Sequence, residues 1–357
     1  MKYQILILLS ILFFQLEGNS QVILSADGPG NTYELINSVL ANSGRDVVEV
    51  PDCGHATFGR HIDEIFDTDL NKNVFRFSIH TNEDDDRCNG STDRQRNEIK
   101  TFGGSPDNLL GVEGEKVIYK WKMKLPVGFQ PSSSFTHLHQ LKSVGGPFDN
   151  IPMYTLTVRK GNPNKLELRY AETNNQITLE KVNLSLLEGN WIEFTEKIEY
   201  GKNVLYSMEM KSFDNGTSIF KYENNNTVNW QQDAEFVRPK WGIYRSLNNK
   251  QDLQDEQVLF ADFSIEETNT LSLEFLRTNT QEIKTIPNPS KGSVFIKTTA
   301  KNSYDSVDIY NALGKLIENK IKTANDSLDI SNLKTGSYYF IFKKDENIVS
   351  KNTVLVK

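Results

Sequence analysis

The chain has 357 residues, of which 37% are hydrophobic and 10% aromatic, enough apolar mass for a globular core and too much for a solvated polyelectrolyte. Its formal charge of −7 excludes nucleic acid as a natural partner by weak repulsion. Any anionic ligand must then be held by a local cluster of cations.

From the N-terminus, Lys2 precedes an apolar run from Ile5 to Leu16, followed by Gly18, Asn19 and Ser20. The run is too short for a stable anchor and small residues sit where a signal peptidase cuts, so residues 1–20 are expected to be a signal peptide. No second apolar run approaches spanning length, and the expected product is a secreted or cell-surface chain starting near Gln21. The remaining length exceeds one typical domain and predicts one large and one small unit. Asn31, with Glu34 three residues on, predicts a helix leading into "LINSVL", and "HIDEIF" reads as a second short helix. Export to an oxidising space favours a disulfide between Cys53 and Cys88, the only two cysteines, with two buried free thiols as the alternative. The acidic stretch "NEDDD" offers oxygen ligands for a structural calcium, or is a solvated turn.

From Val74 to about Ile265 the chain reads as strands punctuated by Gly, Asn, Asp and Pro. In "KVIYKWKMKLP" Val117, Tyr119, Trp121, Met123 and Leu125 alternate with Ile118, Lys120, Lys122 and Lys124. Similar runs at Tyr154 to Arg159, Leu166 to Tyr170, Trp191 to Tyr200, Val204 to Met210, Ile219 to Tyr222 and Val258 to Ile265 predict an all-β sandwich. After Thr268 a second β-rich unit opens at "TIPNPSKGSVFIKTTA".

"SFTHLHQLKS" concentrates the polar chemistry. Strict alternation puts Thr136, Leu138, Gln140 and Lys142 on one face and Phe135, His137, His139 and Leu141 on the other. His137 and His139 would need a third zinc ligand from His55, His61, His80 or an acid, with no recognisable spacing, so histidines packed in the sandwich wall are the commoner reading and no metal is expected in catalysis. Upstream, Arg94, Arg96 and Glu98 share a face, and downstream Lys240, Gly242 and Tyr244 do the same. Any one such strand is ordinarily solvated surface. Together, Arg, Gln, Lys and Tyr fit β-elimination on a uronic acid. Cations or an amide stabilise the carboxylate of the intermediate, a base takes the C5 proton and an acid protonates the departing O4. Both Lys and Tyr have a solution pKa of about 10, so burial and neighbouring cations must lower one or both.

Arg96-Asn97-Glu98, Gln140-Leu141-Lys142 and Lys240-Trp241-Gly242-Ile243-Tyr244 resemble, in order, the motifs of the β-jelly-roll (concanavalin-like) polysaccharide lyases, which include alginate, glucuronan and heparin lyase I families. Lys142 stands where the commoner pattern has histidine. With "PDCGH", "DDDRC", "DRQRNEIKTF" and "THLHQLKSVGG" around it, the stretch from roughly Pro51 to Ile265, most of an expected lyase domain at 21–268, is most similar to the ulvan lyases of polysaccharide lyase family 28. The resemblance implies an endo-acting lyase on ulvan, an anionic algal polysaccharide. Lys142 and Tyr244 would be base and acid, or the reverse, with Gln140, Arg94, Arg96 and Asn97 neutralising the carboxylate. His137 or His139 would join only if a bulge reset the alternation. Lys240 and Arg245 are candidates for binding sulfate or uronate groups, and Trp241 and Tyr154 either stack on sugars or pack in the core. Glucuronan lyase is the runner-up, and a lectin-like binding protein the alternative of another class. Residues 286–357, after a linker at 269–285, resemble the C-terminal sorting domain of the type IX secretion system. Pro287-Asn288-Pro289, Gly314, the Leu333 to Tyr338 segment and the final lysine carry that likeness, which implies the secretion machinery as a partner.

Overall fold

The computed structural model describes residues 20–42, 47–268, 283–298, 304–311, 316–323, 326–344 and 347–357. The expected signal segment before Ser20 and most of the expected linker lie outside the described residues. The chain divides into two compact units, Met1–Thr270 and Leu271–Lys357.

In chain order the larger unit contains β1 (Ser20–Leu24), α1 (Thr32–Leu40), β2 (Val48–Glu49), β3 (Ile62–Asp67), β4 (Lys72–Ile79), β5 (Arg94–Lys100), β6 (Lys116–Lys124) and β7 (Thr136–Val144). It continues with β8 (Tyr154–Arg159), β9 (Lys165–Tyr170), β10 (Ile177–Asn183), β11 (Trp191–Glu199), β12 (Lys202–Ser212), β13 (Ser218–Val228), β14 (Phe236–Ser246) and β15 (Glu256–Glu267). One sheet runs β13-β12-β11-β6-β15-β4-β3 with β1 on β15, and the other runs β10-β9-β8-β7-β14-β5-β2. Neighbours distant in sequence, such as β6 with β11 and β7 with β14, are the long crossovers of a jelly roll.

Alternation builds the layer between the sheets. Val117, Tyr119, Trp121 and Met123 of β6 are buried, and Trp121 stacks on Phe194 of β11 at 4.9 Å. Trp241 and Tyr154 are fully buried in this core, which decides their packing role over sugar stacking. Helix α1 buries Ile36 and Leu40; Asn31 makes no side-chain cap bond, and Glu34 pairs with Arg60 instead. The helix expected at "HIDEIF" is a correction: these residues form most of β3, paired in register with β4 from Ile62–Phe77 to Asp67–Lys72. Ile62 and Glu64 turn inward, and the Glu64 carboxylate accepts the Gly28 amide at 2.7 Å. Ladder pairing overrides the weak helical spacing.

The smaller unit pairs a three-stranded sheet with a four-stranded one around Val294, Val307, Ile309, Phe340, Phe342 and Val354. Asn288 ties its opening turn to the last strand, donating to the Thr353 carbonyl at 2.6 Å and accepting the Leu355 amide at 2.9 Å.

Candidate active site

Strands β7, β14 and β5 lie side by side, so three segments far apart in sequence become one surface. Register sets the cross-strand neighbours: Lys142 faces Arg238, Gln140 faces Lys240, and Tyr244 lies between His137 and Arg96. The alternation expected for β7 breaks at a bulge. His137 pairs with Thr157 and His139 with Leu156, so two steps on β7 meet one on β8. His137 therefore turns to the same side as Gln140 and Lys142, while His139 turns into the core. Gly242 permits the close approach of β14 to β5. Its φ is +142°, and a Cβ there would stand 2.1 Å from the Asn97 carbonyl oxygen.

The result is a groove of ≈170 Å³ into which Lys142, Tyr244, Arg94, Arg96, His137 and Gln140 project. Arg94 donates to the Tyr244 hydroxyl at 3.0 Å, and the Arg96 guanidinium lies 3.7 Å from the centroid of the same ring. Because Tyr244 Oη accepts from Arg94, its own proton is free to point into the groove. His137 hydrogen-bonds Thr157 at 2.6 Å and stacks on Phe135, which also packs against Tyr244. Burial, reinforced by Arg159 and Arg96 against the pull of Glu98, pushes His137 down to about 3, so it is neutral.

Beneath the groove Glu98 and Glu49 tie down the cations. Lys240 reaches Glu49 at 2.5 Å and Glu98 at 2.8 Å, Arg96 donates to Glu98 and Asp86 at 2.7 Å each, and Gln140 donates to Glu98. Burial works against ionisation of Glu98, and Lys240 and Arg96 overcome it to hold its carboxyl below the usual carboxylate range. Lys142 is the contrast. Among the described residues its amine has no ion pair or hydrogen bond, and burial followed by the charges of Lys240, Arg238 and Arg96 pushes it down to about 8. At that value part of the amine is neutral near neutral pH, as a general base requires.

Three candidates stand elsewhere, and a fourth, Lys240, lines the groove but is tied down. Asn97 is fully buried on the opposite face of β5, donating to the His61 and Ser78 carbonyls. Arg245 is likewise buried on the opposite face, bonded to Gln95, Thr81 and the Gln254 carbonyl, so it is not free to bind substrate. His139 is fixed in the core between the Lys240 carbonyl and Glu196, and with His137 turned away the two form no zinc pair. Lys240 borders the groove, yet is 3% exposed and committed to its two glutamates. The carboxylates of "NEDDD" diverge: Asp84 faces histidines, Asp85 caps the Cys88 amide, and Asp86 pairs with Arg96 and Arg87. Cys53 and Cys88 form a disulfide.

Sequence reading missed Glu49, Arg238, and the Asn150 and Pro152 wall. Arg238 alone carried a signal, being two residues before Lys240 on the same alternation. Its Nε is buried with no hydrogen-bond partner among the described residues. A larger hollow, 570 Å³, opens on the outer face of the eight-stranded sheet. Its Lys122 and Lys211 are paired with Asp262 and Glu209, and among the described residues it has no tyrosine in its lining, so the smaller groove is the candidate site.

An unpaired amine and a hydrogen-bonded phenol among cations, on a jelly roll, define a carbon–oxygen lyase acting on polysaccharides. The polysaccharide lyase family model matches residues 72–264, more than half of the 357, and the chain belongs to that family. A secretion system C-terminal sorting domain matches residues 284–357, a tail that directs a chain to secretion or the cell surface. Among solved structures, an endo-β-1,4-glucuronan lyase from the fungus Trichoderma reesei is 15% identical, covers 58% of this chain and 87% of its own, and has a TM-score of 0.43. A marine alginate lyase from Aplysia kurodai is 12% identical, with coverage of 69% and 98% and a TM-score of 0.47. An alginate lyase from Pseudomonas aeruginosa is 13% identical, with coverage of 62% and 98% and a TM-score of 0.41. No curated protein matches the sequence. No described helix is long and apolar enough to cross a membrane.

Proposed function

We propose that the protein is a secreted endo-acting lyase that cleaves ulvan at its uronic acid residues. Lys142 is the base: it takes the C5 proton, the C5 electron pair forms the C4=C5 double bond, and the C4–O4 bond breaks. Tyr244 supplies the proton that leaves with O4, and the product carries a 4,5-unsaturated uronate end. Gln140, Arg94 and Arg96 stabilise the carboxylate while negative charge builds on it. A half-buried, unpaired lysine sharing one groove with a tyrosine whose oxygen already accepts from Arg94 is the observation that carries this reading. It favours Lys142 over Tyr244 as base. The cations that line the groove, Arg94, Arg96 and Lys142, support an anionic polymer as substrate.

The test is incubation with ulvan, glucuronan, alginate and heparin while following the ultraviolet absorbance of the unsaturated product. A rise with ulvan alone supports the proposal. A rise with glucuronan alone corrects the substrate, and binding to any of the four without a rise replaces catalysis with lectin-like recognition.

A further inference from the structure

Three of the five histidines gather away from the groove, where β3 begins and β4 ends. His55 Nδ1, His61 Nε2 and His80 Nδ1 lie 3.2, 3.0 and 3.2 Å from the Asp84 carboxylate, and the four ligand atoms fall within 4.8 Å of one another. Donors on a tetrahedral ion with bonds of about 2.0–2.1 Å stand roughly 3.4 Å apart, so little movement would close the set around one centre. His61 and Asp84 side chains are fully buried, and those of His55 and His80 are partly exposed, at 17% and 15%. Phe58 covers the group, its ring centroid 5.4, 4.8 and 4.2 Å from those of His55, His61 and His80.

Two further features point to a ligand. The far nitrogen of His61, Nδ1, hydrogen-bonds Asp52 at 2.8 Å, the outer carboxylate that orients metal-bound imidazoles. Asp52 and Asp84 together also balance the charge of one divalent cation. The carbonyls of the same segments are clamped by the inner face of β5. Gln95 donates to the His80 and Asp84 carbonyls at 2.6 and 2.9 Å, and Asn97 to that of His61 at 2.9 Å.

We infer that His55, His61, His80 and Asp84 bind one zinc ion as a closed structural site that anchors the segments behind β5. Three nitrogen donors disfavour calcium and magnesium, which take oxygen, and four protein ligands leave no open position for catalysis. The site is independent of the lyase assignment, because none of its ligands enters the groove.

The full-length chain, purified without added metal, should carry about one zinc per molecule by elemental mass spectrometry. Chelation should lower Tm, and zinc, unlike calcium or magnesium, should restore it. Cobalt loading should give the intense visible bands of a four-coordinate site. His55→Gln and His80→Gln should each cut zinc occupancy by at least about tenfold. His55 lies in a loop, so its variant is expected to fold if the other does not. Less than about a tenth of a zinc per chain after growth with added zinc, occupancy unchanged in both variants, or restoration of Tm by calcium in place of zinc would overturn the assignment.

Discussion

The base assigned to Lys142 fixes a pH profile. Lys142 must be deprotonated to act, so kcat/KM should rise with pH below about 8 and level off above it. At pH 7 a lysine of pKa about 8 is neutral about 9% of the time, against about 0.03% at 10.5, a gain of roughly 300-fold in active base. Arg238 faces it across the β7–β14 ladder and is one of the cations that depress it. Two cations about 6 Å apart at an effective dielectric of about 40 repel by about 1.4 kcal/mol, or about one pKa unit. Arg238→Gln should therefore move the rising limb up by about one unit, to near pH 9, with kcat/KM about tenfold lower at pH 7 and approaching the parent's plateau near pH 10. The assay is initial-rate absorbance at constant ionic strength from pH 6 to 10. Weakened substrate binding alone would lower the plateau without moving the limb. A limb that stays put or moves down, or a parent rate that falls between pH 6 and 8, refutes the role of Lys142 as base.

Tyr244→Phe should lower kcat/KM by about 10²–10⁴ with little change in Tm, because the ring still packs on Phe135 and under Arg96; near-normal turnover removes Tyr244 as acid. His139→Ala should cost about 3 kcal/mol in denaturant unfolding by leaving Glu196 buried without its partner, while a refolded fraction keeps its KM; a raised KM at full stability would return His139 to the groove. Replacing Cys53 and Cys88 with serine should cost about 4 kcal/mol by the entropy of a 35-residue loop, and an unchanged midpoint would show that other contacts already hold the segment.

The sandwich was legible because burial follows a period of two along strands such as β6, where Tyr119, Trp121 and Met123 point one way and three lysines the other. The same period correctly grouped Arg94, Arg96 and Glu98. It failed at His137 because a bulge adds one residue to a strand and leaves no compositional trace. At Asn97 and Arg245 the period was right and the resemblance was not: alternation sets them opposite Arg96 and Tyr244, and only the family likeness had placed them in the site. Both stand on the inner faces of their strands, where polar side chains are rare, and are accepted there because they donate to backbone carbonyls, Asn97 to those of His61 and Ser78 and Arg245 to that of Gln254. Glu49 was invisible because it acts through Lys240, Lys100, Arg96 and Arg87, partners that only the folded chain sets beside it. At "HIDEIF" spacing compatible with a helix yielded to an available neighbouring strand.

Strand β5 spends odd and even positions on unrelated tasks: arginines outward at 94 and 96, amides inward at 95 and 97. On the proposed function, sugar preference is most open to change at Arg94, because Arg96 also holds the buried carboxylates of Glu98 and Asp86. A library randomised at 94 should yield many soluble members with altered polymer choice, whereas one randomised at 95 and 97 should yield mostly aggregates.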